Sequence, residues 1–541
     1  MRTVWVKAVS EGFKVVLTAE GATASDTLGA SVAGFISALP DSYIKPLIAR
    51  TYFRVKSRNG IAERAPYGLA KVEASLVAKG VVSRDEVVIA SPYELDKVIG
   101  SNTRVLGIYV MDPLGLSFGS GIVYWILKLA GLPYRGIPFI ARSFLEIFTN
   151  PAVKAHRNHM KIVVGGPATW QLTDTGYHRK LGVDVVYEGE FESLGPSVFS
   201  RLLRGEPLPP VVSAPPAKLE DIPTILTPAN GGLVEVSRGC GRGCSFCTPT
   251  LSGAIKSLPF EGHIDQEIRV NIERGGMKDI NLHSEEFFRY GAKGIEPNPE
   301  KVIELTRKAY RLVKSYGDEY TISTDFTTAA AVAYRPKMVE EAAQYINEGD
   351  RRTFIEMGIE TGSPRLLRKL MPGKALPYTP EQYPEVVEQA IGILNDNRWV
   401  VVGTMIVNLP GETEDDVIYD LELLDRIKKL RVITFPLPFI PMGALRHTYF
   451  TILNKMLLDP VRGQFILEAL SKAFSEAAAD MDMAVEKMEN PFAKVIIGRL
   501  GKTLASMLVK RYEEAMSELA SRRLKVPEVS ESYTTLRTTA Y

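Results

Sequence analysis

The stretch 237-SRGCGRGCSFCTPTLSG-253 decides how this chain is read. It carries Cys240, Cys244 and Cys247, the only cysteines among 541 residues. Three thiols on one short loop cannot form a disulfide framework; they suit a reducing compartment and a metal role. Three metal readings compete. A structural zinc site wants four protein ligands, and His263 is the candidate fourth. An electron-transfer iron–sulfur cluster normally takes four cysteines. In the third reading the missing ligand is the purpose: three thiolates hold three irons of a four-iron cluster, and the fourth iron stays open to a small molecule. Gly239, Gly241 and Gly243 permit close backbone approach and aim amides at cluster sulfurs. Arg242 either offsets cluster charge or is a solvated loop residue.

Working outward, the loop follows the first of a series of apolar strands, 233-LVEVS-237, 278-KDINLH-283, 320-YTISTDF-326, 354-FIEMGIE-360, 399-WVVVGTMIV-407 and 432-VITFPLPF-439. Helical windows separate them, among them 298-NPEKVIELTRKAYRLVKSYG-317 and 412-ETEDDVIYDLELLDRIKKL-430. Such alternation predicts a barrel or partial barrel of parallel strands, with chemistry on the loops at the carboxyl strand ends. The cysteines lie at such an end.

A second alternation precedes it. Strand-like runs at 13-FKVVLTA-19, 85-DEVVIAS-91, 104-RVLGIYV-110, 161-KIVVGG-166 and 183-VDVVYEG-189 are interleaved with helical stretches. This is the pattern of a doubly wound parallel sheet, whose ligands bind beyond the carboxyl edge. The fold class is therefore α/β, in the order Rossmann-like domain (1–205), proline-rich linker (206–228), partial (β/α)6 barrel (229–446), helical C-terminal domain (447–526) and flexible tail (527–541). The net charge of +2 gives no global drive toward nucleic acid or acidic membrane. The N-terminal residues lack the blocks of a signal peptide, and the expected location is cytoplasmic.

The cysteine spacing after the first strand of a six-unit β/α repeat resembles the radical S-adenosylmethionine (SAM) superfamily, and Phe246 before the third cysteine matches as well. The resemblance extends to 356-EMGIETGSPRLLRKL-370, 403-GTMIVNLPGETEDDV-417 and 436-PLPFIPMGA-444. It implies a 4Fe-4S cluster on Cys240, Cys244 and Cys247, with the open iron chelating SAM. Reductive cleavage would yield methionine and a 5′-deoxyadenosyl radical that abstracts hydrogen from an unactivated carbon. By the same resemblance, SAM contacts fall to Phe246, Glu285 or Glu286 in 280-INLHSEEFF-288, Ser323, Glu360 and Asn408. His283 lies beside the acidic pair, and Asp325 ends the third strand. Arg365 and Arg368 either reach the SAM carboxylate or cap a solvated helix face. No catalytic residue is assigned.

The first domain resembles the cobalamin-binding domain that precedes the barrel in one radical SAM subgroup, through 108-IYVMDPLG-115, 162-IVVGGPATW-170 and 183-VDVVYEGEFE-192. That implies a corrin lined by Asp112, Gly115, Gly165, Gly166, Pro167, Glu188, Gly189 and Glu190. None of the six histidines sits in a D-x-H-x-x-G context, so histidine ligation of cobalt is not expected.

The expectation is a cobalamin-dependent radical SAM enzyme that methylates or otherwise modifies an unactivated carbon of a small molecule or lipid, drawing electrons from a ferredoxin or flavodoxin. One rival is a cobalamin-independent enzyme acting on a membrane lipid, which would bring peripheral membrane contact. Another is a metal-stabilised nucleic-acid-modifying or binding protein, disfavoured by the charge balance.

Overall fold

The computed structural model describes residues 11–26, 34, 36–129, 132–446 and 460–480, with single helical positions between 495 and 517. The expected tail at 527–541 and most of the expected helical domain at 447–526 lie outside the described residues. The chain divides into two compact units. The first comprises the described parts of Met1–Tyr124, Pro133–Val234 and Glu261–Lys278; the second comprises Trp125–Leu132, Glu235–Phe260 and Asp279 onward.

The first unit is built on six parallel strands: β1 (Val15–Ala19), β2 (Val87–Ile89), β3 (Val105–Tyr109), β4 (Lys161–Gly165), β5 (Val185–Glu188) and β6 (Val211–Ser213). Their order is β2-β1-β3-β4-β5-β6. The side chains of β1 to β3 are almost wholly buried, as continuous apolar runs are when helices cover both faces of a sheet. Helix α1 (Tyr67–Ala78) packs against α2 (Phe191–Leu203) through Leu69, Leu76, Val198 and Phe199, each side chain contributing about 1.5–3 kcal/mol by its burial. The strand order reverses direction between β1 and β3, the switch point at which the carboxyl edge of such a sheet opens a crevice. The proline-rich stretch after residue 206 supplies the edge strand β6.

Segment Glu261–Lys278 comes from the middle of the barrel sequence yet clusters with this first unit. Lys71 on α1 gives Nζ to Glu267 Oε1 at 2.7 Å, and Tyr67 gives its hydroxyl to Glu267 Oε2 at 2.8 Å. Asn271 Oδ1 accepts from Ala229 N at 2.8 Å. Lys71 and Glu267 are both buried, so each charge is tolerable only because the other is present.

Strands β7 (Leu233–Glu235), at whose last residue the second unit resumes, β8 (Asp279–His283) and β9 (Thr321–Ser323) form one sheet in the order β9-β8-β7. Strands β10 (Thr353–Glu360), β11 (Trp399–Val407) and β12 (Val432–Pro438) form a second with the short strand Phe326–Thr327 at its edge. The ladder breaks at Thr324–Asp325, and the Glu356 amide donates to Asp325 O at 2.7 Å beside the edge strand. Helices α3 (Pro299–Lys314), α4 (Pro364–Leu370), α5 (Tyr383–Asp396) and α6 (Glu414–Ile427) complete the β/α units. Along β10 burial alternates strictly: Ile355, Met357 and Ile359 are buried, and Phe354, Glu356, Gly358 and Glu360 on the other face are half-buried. Helix α7 (Pro460–Ala479) packs on β12, where Thr434 Oγ1 donates to Ala469 O at 3.1 Å and Ala473 meets Val400 and Ile433. This described part of the C-terminal region packs the barrel. Among the described residues no helix is long and apolar enough to cross a membrane.

Candidate active site

The cysteine loop leaves β7 and turns on Gly239, Gly241 and Gly243, whose φ angles of 80°, 71° and 72° lie in the left-handed region that a Cβ disfavours. A Cβ on Gly239 would also meet Gly253 O at 3.0 Å and Ala254 O at 2.9 Å. Cys247 N donates to Cys244 O at 3.2 Å, closing the turn between the second and third thiols. Burial pushes the Cys240 thiol up to about 11 and the Cys247 thiol up to about 12, and raises Cys244 as well. Metal binding must therefore displace the protons from these thiols.

A buried ion cluster holds the loop in place. Glu286 accepts from Arg242 Nη2 at 2.5 Å, from Arg289 Nη1 at 2.7 Å and from Thr328 Oγ1. Cys240 Sγ stands 3.6 Å from Glu286 Oε2, and Arg289 Nη1 also donates to Cys240 O at 2.6 Å. Burial alone would raise Glu286, but the two guanidiniums overcome it and hold the carboxyl down at about 2. Arg242 reaches on to Gly373 O at 2.8 Å and Leu376 O at 2.9 Å. Arg242 is thus a buried structural cation, and Glu286 has its oxygens filled by protein. Its neighbour Glu285 has no hydrogen-bond partner among the described residues, and burial raises it.

Two non-glycine residues at neighbouring strand ends adopt left-handed backbone: Glu360 closes β10 at φ 71°, and Asn408 follows β11 at φ 64°. The β10–β11 register slips between Gly358 and Glu360, which turns Glu360 out of the regular ladder. Such strain survives only where surrounding contacts over-determine it, and it concentrates at functional sites. Here α6 supplies those contacts. Asp420 accepts from Gly362 N at 2.6 Å and Thr361 Oγ1 at 2.8 Å, and Asp416 accepts from Ser363 Oγ at 2.5 Å. Arg365 pairs with Asp416 and Arg368 with Glu381, so both arginines serve the helix layer. Phe246 meets the buried Phe439 edge-to-face, ring centroids 6.5 Å apart. The loop after β12 closes over the same backbone, since a Cβ on Gly443 would come within 3.0 Å of Cys247 O. Ser323 Oγ donates to Asp279 Oδ2 at 3.0 Å and belongs to a network with Arg351.

His283 Nδ1 donates to Asp325 Oδ2 at 2.5 Å. Burial disfavours its cation, but the Asp325 carboxylate more than restores it, with help from Glu285 and Glu235, and His283 is raised to about 9. The same polar wall holds Glu356, raised to about 7 by burial and then by Glu360, Asp325 and Glu285. Because the folded value for His283 exceeds its unfolded 6.5, the stability from this pair is complete below about pH 6.5 and disappears as pH rises through about 9. Urea denaturation across that range is expected to lose at most about 3 kcal/mol, and Asp325→Asn should flatten the slope. An unchanged slope in that variant would refute the pairing.

Lys374 is a functional candidate that sequence reasoning missed. Its Nζ stands 3.2 Å from Glu360 Oε1, in 371-MPGKALP-377, a stretch that matches no motif. His263, the candidate fourth zinc ligand, is spent in the first unit, where its Nε2 faces Lys71 Nζ at 3.3 Å. Among the described residues no group of three His, Cys, Asp or Glu could hold a single metal ion. The loop's donor set instead suits a cluster: three thiols spread along a fixed loop, with buried cations nearby to offset anionic charge.

In the first unit, Asp112 accepts from Ser117 Oγ at 2.6 Å, Ser120 Oγ at 2.5 Å and Gln171 Nε2 at 2.7 Å, which ties the loop after β3 to that after β4. Glu188 accepts from Thr173 Oγ1 at 2.9 Å, and Glu190 from Ala217 N at 2.9 Å. Gly166 and Gly189 serve close backbone packing, since a Cβ on either would approach a carbonyl oxygen to 2.4 Å. A Cβ on Gly165 would meet nothing nearer than 3.8 Å, and Gly115 lies against Pro138. Pro167 follows in the same loop as Gly165 and Gly166. These residues follow β3, β4 and β5 at the carboxyl edge of the sheet. No histidine occurs in the loops that follow the strands there.

Strand ends, cysteine loop and helix layer belong to one set of β/α units. Residues 234–424 match the model of the radical SAM superfamily. Over 291 residues it is 24% identical to a tRNA-2-methylthio-N(6)-dimethylallyladenosine synthase of Corynebacterium efficiens, covering 52% of each chain. It is 25% identical over 259 residues to the ribosomal protein uS12 methylthiotransferase RimO of Chlorobium luteolum, covering 46% of this chain and 53% of that one. The chain thus spans about half the length of the curated relatives it matches. Its fold is similar to that of the radical S-adenosylmethionine methyltransferase TsrM of Kitasatospora setae, solved with cobalamin and a [4Fe-4S] cluster. That similarity has a TM-score of 0.52 at 14% identity and covers 94% of this chain and 99% of the other.

Proposed function

We propose that this chain is a cobalamin-dependent radical SAM enzyme that methylates, or modifies by a related reaction, an unactivated carbon of a small molecule. The observation that carries the reading is the order of folds: a doubly wound sheet with a β1/β3 switch point precedes a barrel with a three-thiol loop. The likeness to TsrM runs over nearly the whole chain. When bound, the cluster would supply the electron for SAM cleavage and the corrin a transferable methyl group. Cys240, Cys244 and Cys247 hold the cluster. Glu285, Glu360, Asn408 and Phe246 face SAM, while Glu286 anchors the loop and Ser323 braces β8 against β9. The loops with Gly165, Gly166, Pro167 and Glu188 to Glu190 line the corrin crevice, and cobalt receives no protein histidine. A ferredoxin or flavodoxin supplies electrons in the cytoplasm.

The test is production with hydroxocobalamin, anaerobic reconstitution with iron and sulfide, and addition of SAM and a reductant. The expected result is a visible corrin spectrum and release of 5′-deoxyadenosine or demethylated SAM. A chain with a full cluster and no corrin would overturn the cobalamin reading and favour the cobalamin-independent rival. Two relatives are named for action on tRNA and on a ribosomal protein. A macromolecular substrate is the second reading, and retention of RNA through purification would favour it.

A further inference from the structure

We propose that the first unit carries a further binding site, a basic cleft at the amino edge of its sheet that takes a phosphorylated small molecule. None of its residues belongs to the barrel or to the carboxyl edge, so it does not depend on the radical SAM reading.

Local sequence builds the cleft. Residues 151–182 hold five lysines and arginines (Lys154, Arg157, Lys161, Arg179 and Lys180) against one acid, Asp174. Lys154 lies on the helix Pro151–His156, which leads into β4. Arg179 and Lys180 lie on the helix Tyr177–Lys180, which leads into β5. Strands β4 and β5 are parallel neighbours, so both connections arrive at the same edge of the sheet. Arg157 ties the two together. Its guanidinium donates to Met160 O at 2.7 Å, to Gly182 O at 2.5 Å and to Asp184 Oδ2 at 2.7 Å. Asp184 is itself filled, since Lys161 Nζ donates to it at 3.2 Å and Ile162 N at 2.8 Å.

Between the connections lies a cleft of about 380 Å³, within the range of about 300–1,000 Å³ usual for small-molecule sites. The buried Val153 and Ile162 and the half-buried Phe148 and Leu181 give it an apolar base. Lys154, Arg179 and Lys180 line it as exposed cations, and none of them pairs with a carboxylate among the described residues. Lys180 rests its ammonium over the Tyr177 ring, 5.4 Å from the centroid, which leaves its charge uncompensated.

Cations that converge on one cleft repel one another, and a cleft lined by one sign focuses its field on counter-ions. The arginine fork matches phosphate geometry, and the lysines add point charges. Three uncompensated cations beside an apolar base suit a ligand with more than one phosphate charge joined to an apolar or aromatic body, as in a nucleoside diphosphate. A single carboxylate would neutralise only one of the three. The phosphate of a lipid headgroup offers related chemistry, and the experiment separates the two sources.

The full-length chain is titrated calorimetrically with ADP and with inorganic diphosphate, and is sedimented with vesicles of phosphatidylcholine and phosphatidylglycerol. The comparison is the triple variant Lys154→Ala, Arg179→Ala, Lys180→Ala, whose exposed side chains hold no ion pair among the described residues. The expected result is binding of a soluble probe that weakens as salt rises and falls roughly tenfold for each cation removed. A wild-type chain that binds neither soluble probe, or a triple variant that binds them equally well, would overturn the proposal. Vesicle binding that the triple variant loses, with neither soluble probe bound, would also overturn it and assign the cleft to a lipid surface. These titrations need neither SAM nor a reductant, so their outcome is independent of the barrel's chemistry.

Discussion

Anaerobic reconstitution of Cys244→Ala is expected to leave the protein colourless, and added SAM should yield no 5′-deoxyadenosine. Cys244 lies in the middle of the loop, 9% exposed, and its carbonyl receives the amide of Cys247. The chain has no fourth cysteine to take over. Two remaining thiolates cannot hold three irons of a cubane. The loss should exceed the ~10–100-fold that follows removal of an outer-shell partner of a metal site. The fold should survive, because the loop is fixed by the Arg242–Glu286–Arg289 cluster and the substitution itself removes only a small side chain, at about 1 kcal/mol. A brown variant that still cleaves SAM would refute the cluster assignment.

The second large effect is expected from Glu286→Ala. Truncation strands two guanidiniums that are themselves 2% exposed, and breaking a buried ion pair on one side costs about 3–5 kcal/mol. Urea denaturation should show that loss, and iron per chain should fall with it, because Arg242 no longer joins the cysteine loop to Gly373 and Leu376. The outcome separates two roles. A residue that only contacted SAM would lower SAM affinity and leave stability and iron content intact. That pattern would overturn the anchoring role.

Much of this was legible in one dimension. Strand ranges such as 399–407 are visible because parallel strands buried on both faces demand unbroken apolar runs. The thiols are visible because ligands to one cluster can be carried on one loop. The 280-INLHSEEFF-288 stretch shows the limit. Two adjacent acids look equivalent in a string, yet the turn after β8 gives them different surroundings. Glu286 turns into the Arg242–Arg289 cluster, while Glu285 has no hydrogen-bond partner among the described residues. Lys374 was illegible because its importance depends on the missing Cβ of Gly358, sixteen positions earlier, and on a backbone pairing with Arg242.

The sequence by itself determined the order of the two α/β folds, the three thiols and the lack of a fourth cysteine, since these follow from local periodicity and residue content. Only the tertiary structure decided which charges are spent on holding the site and which face it. It also decided that Glu261–Lys278 clusters with the first unit, through Lys71 and Glu267. The physical reason is the same in both cases. A buried charge takes its role from the partner that folding brings within about 3 Å, and that partner can lie anywhere in the chain.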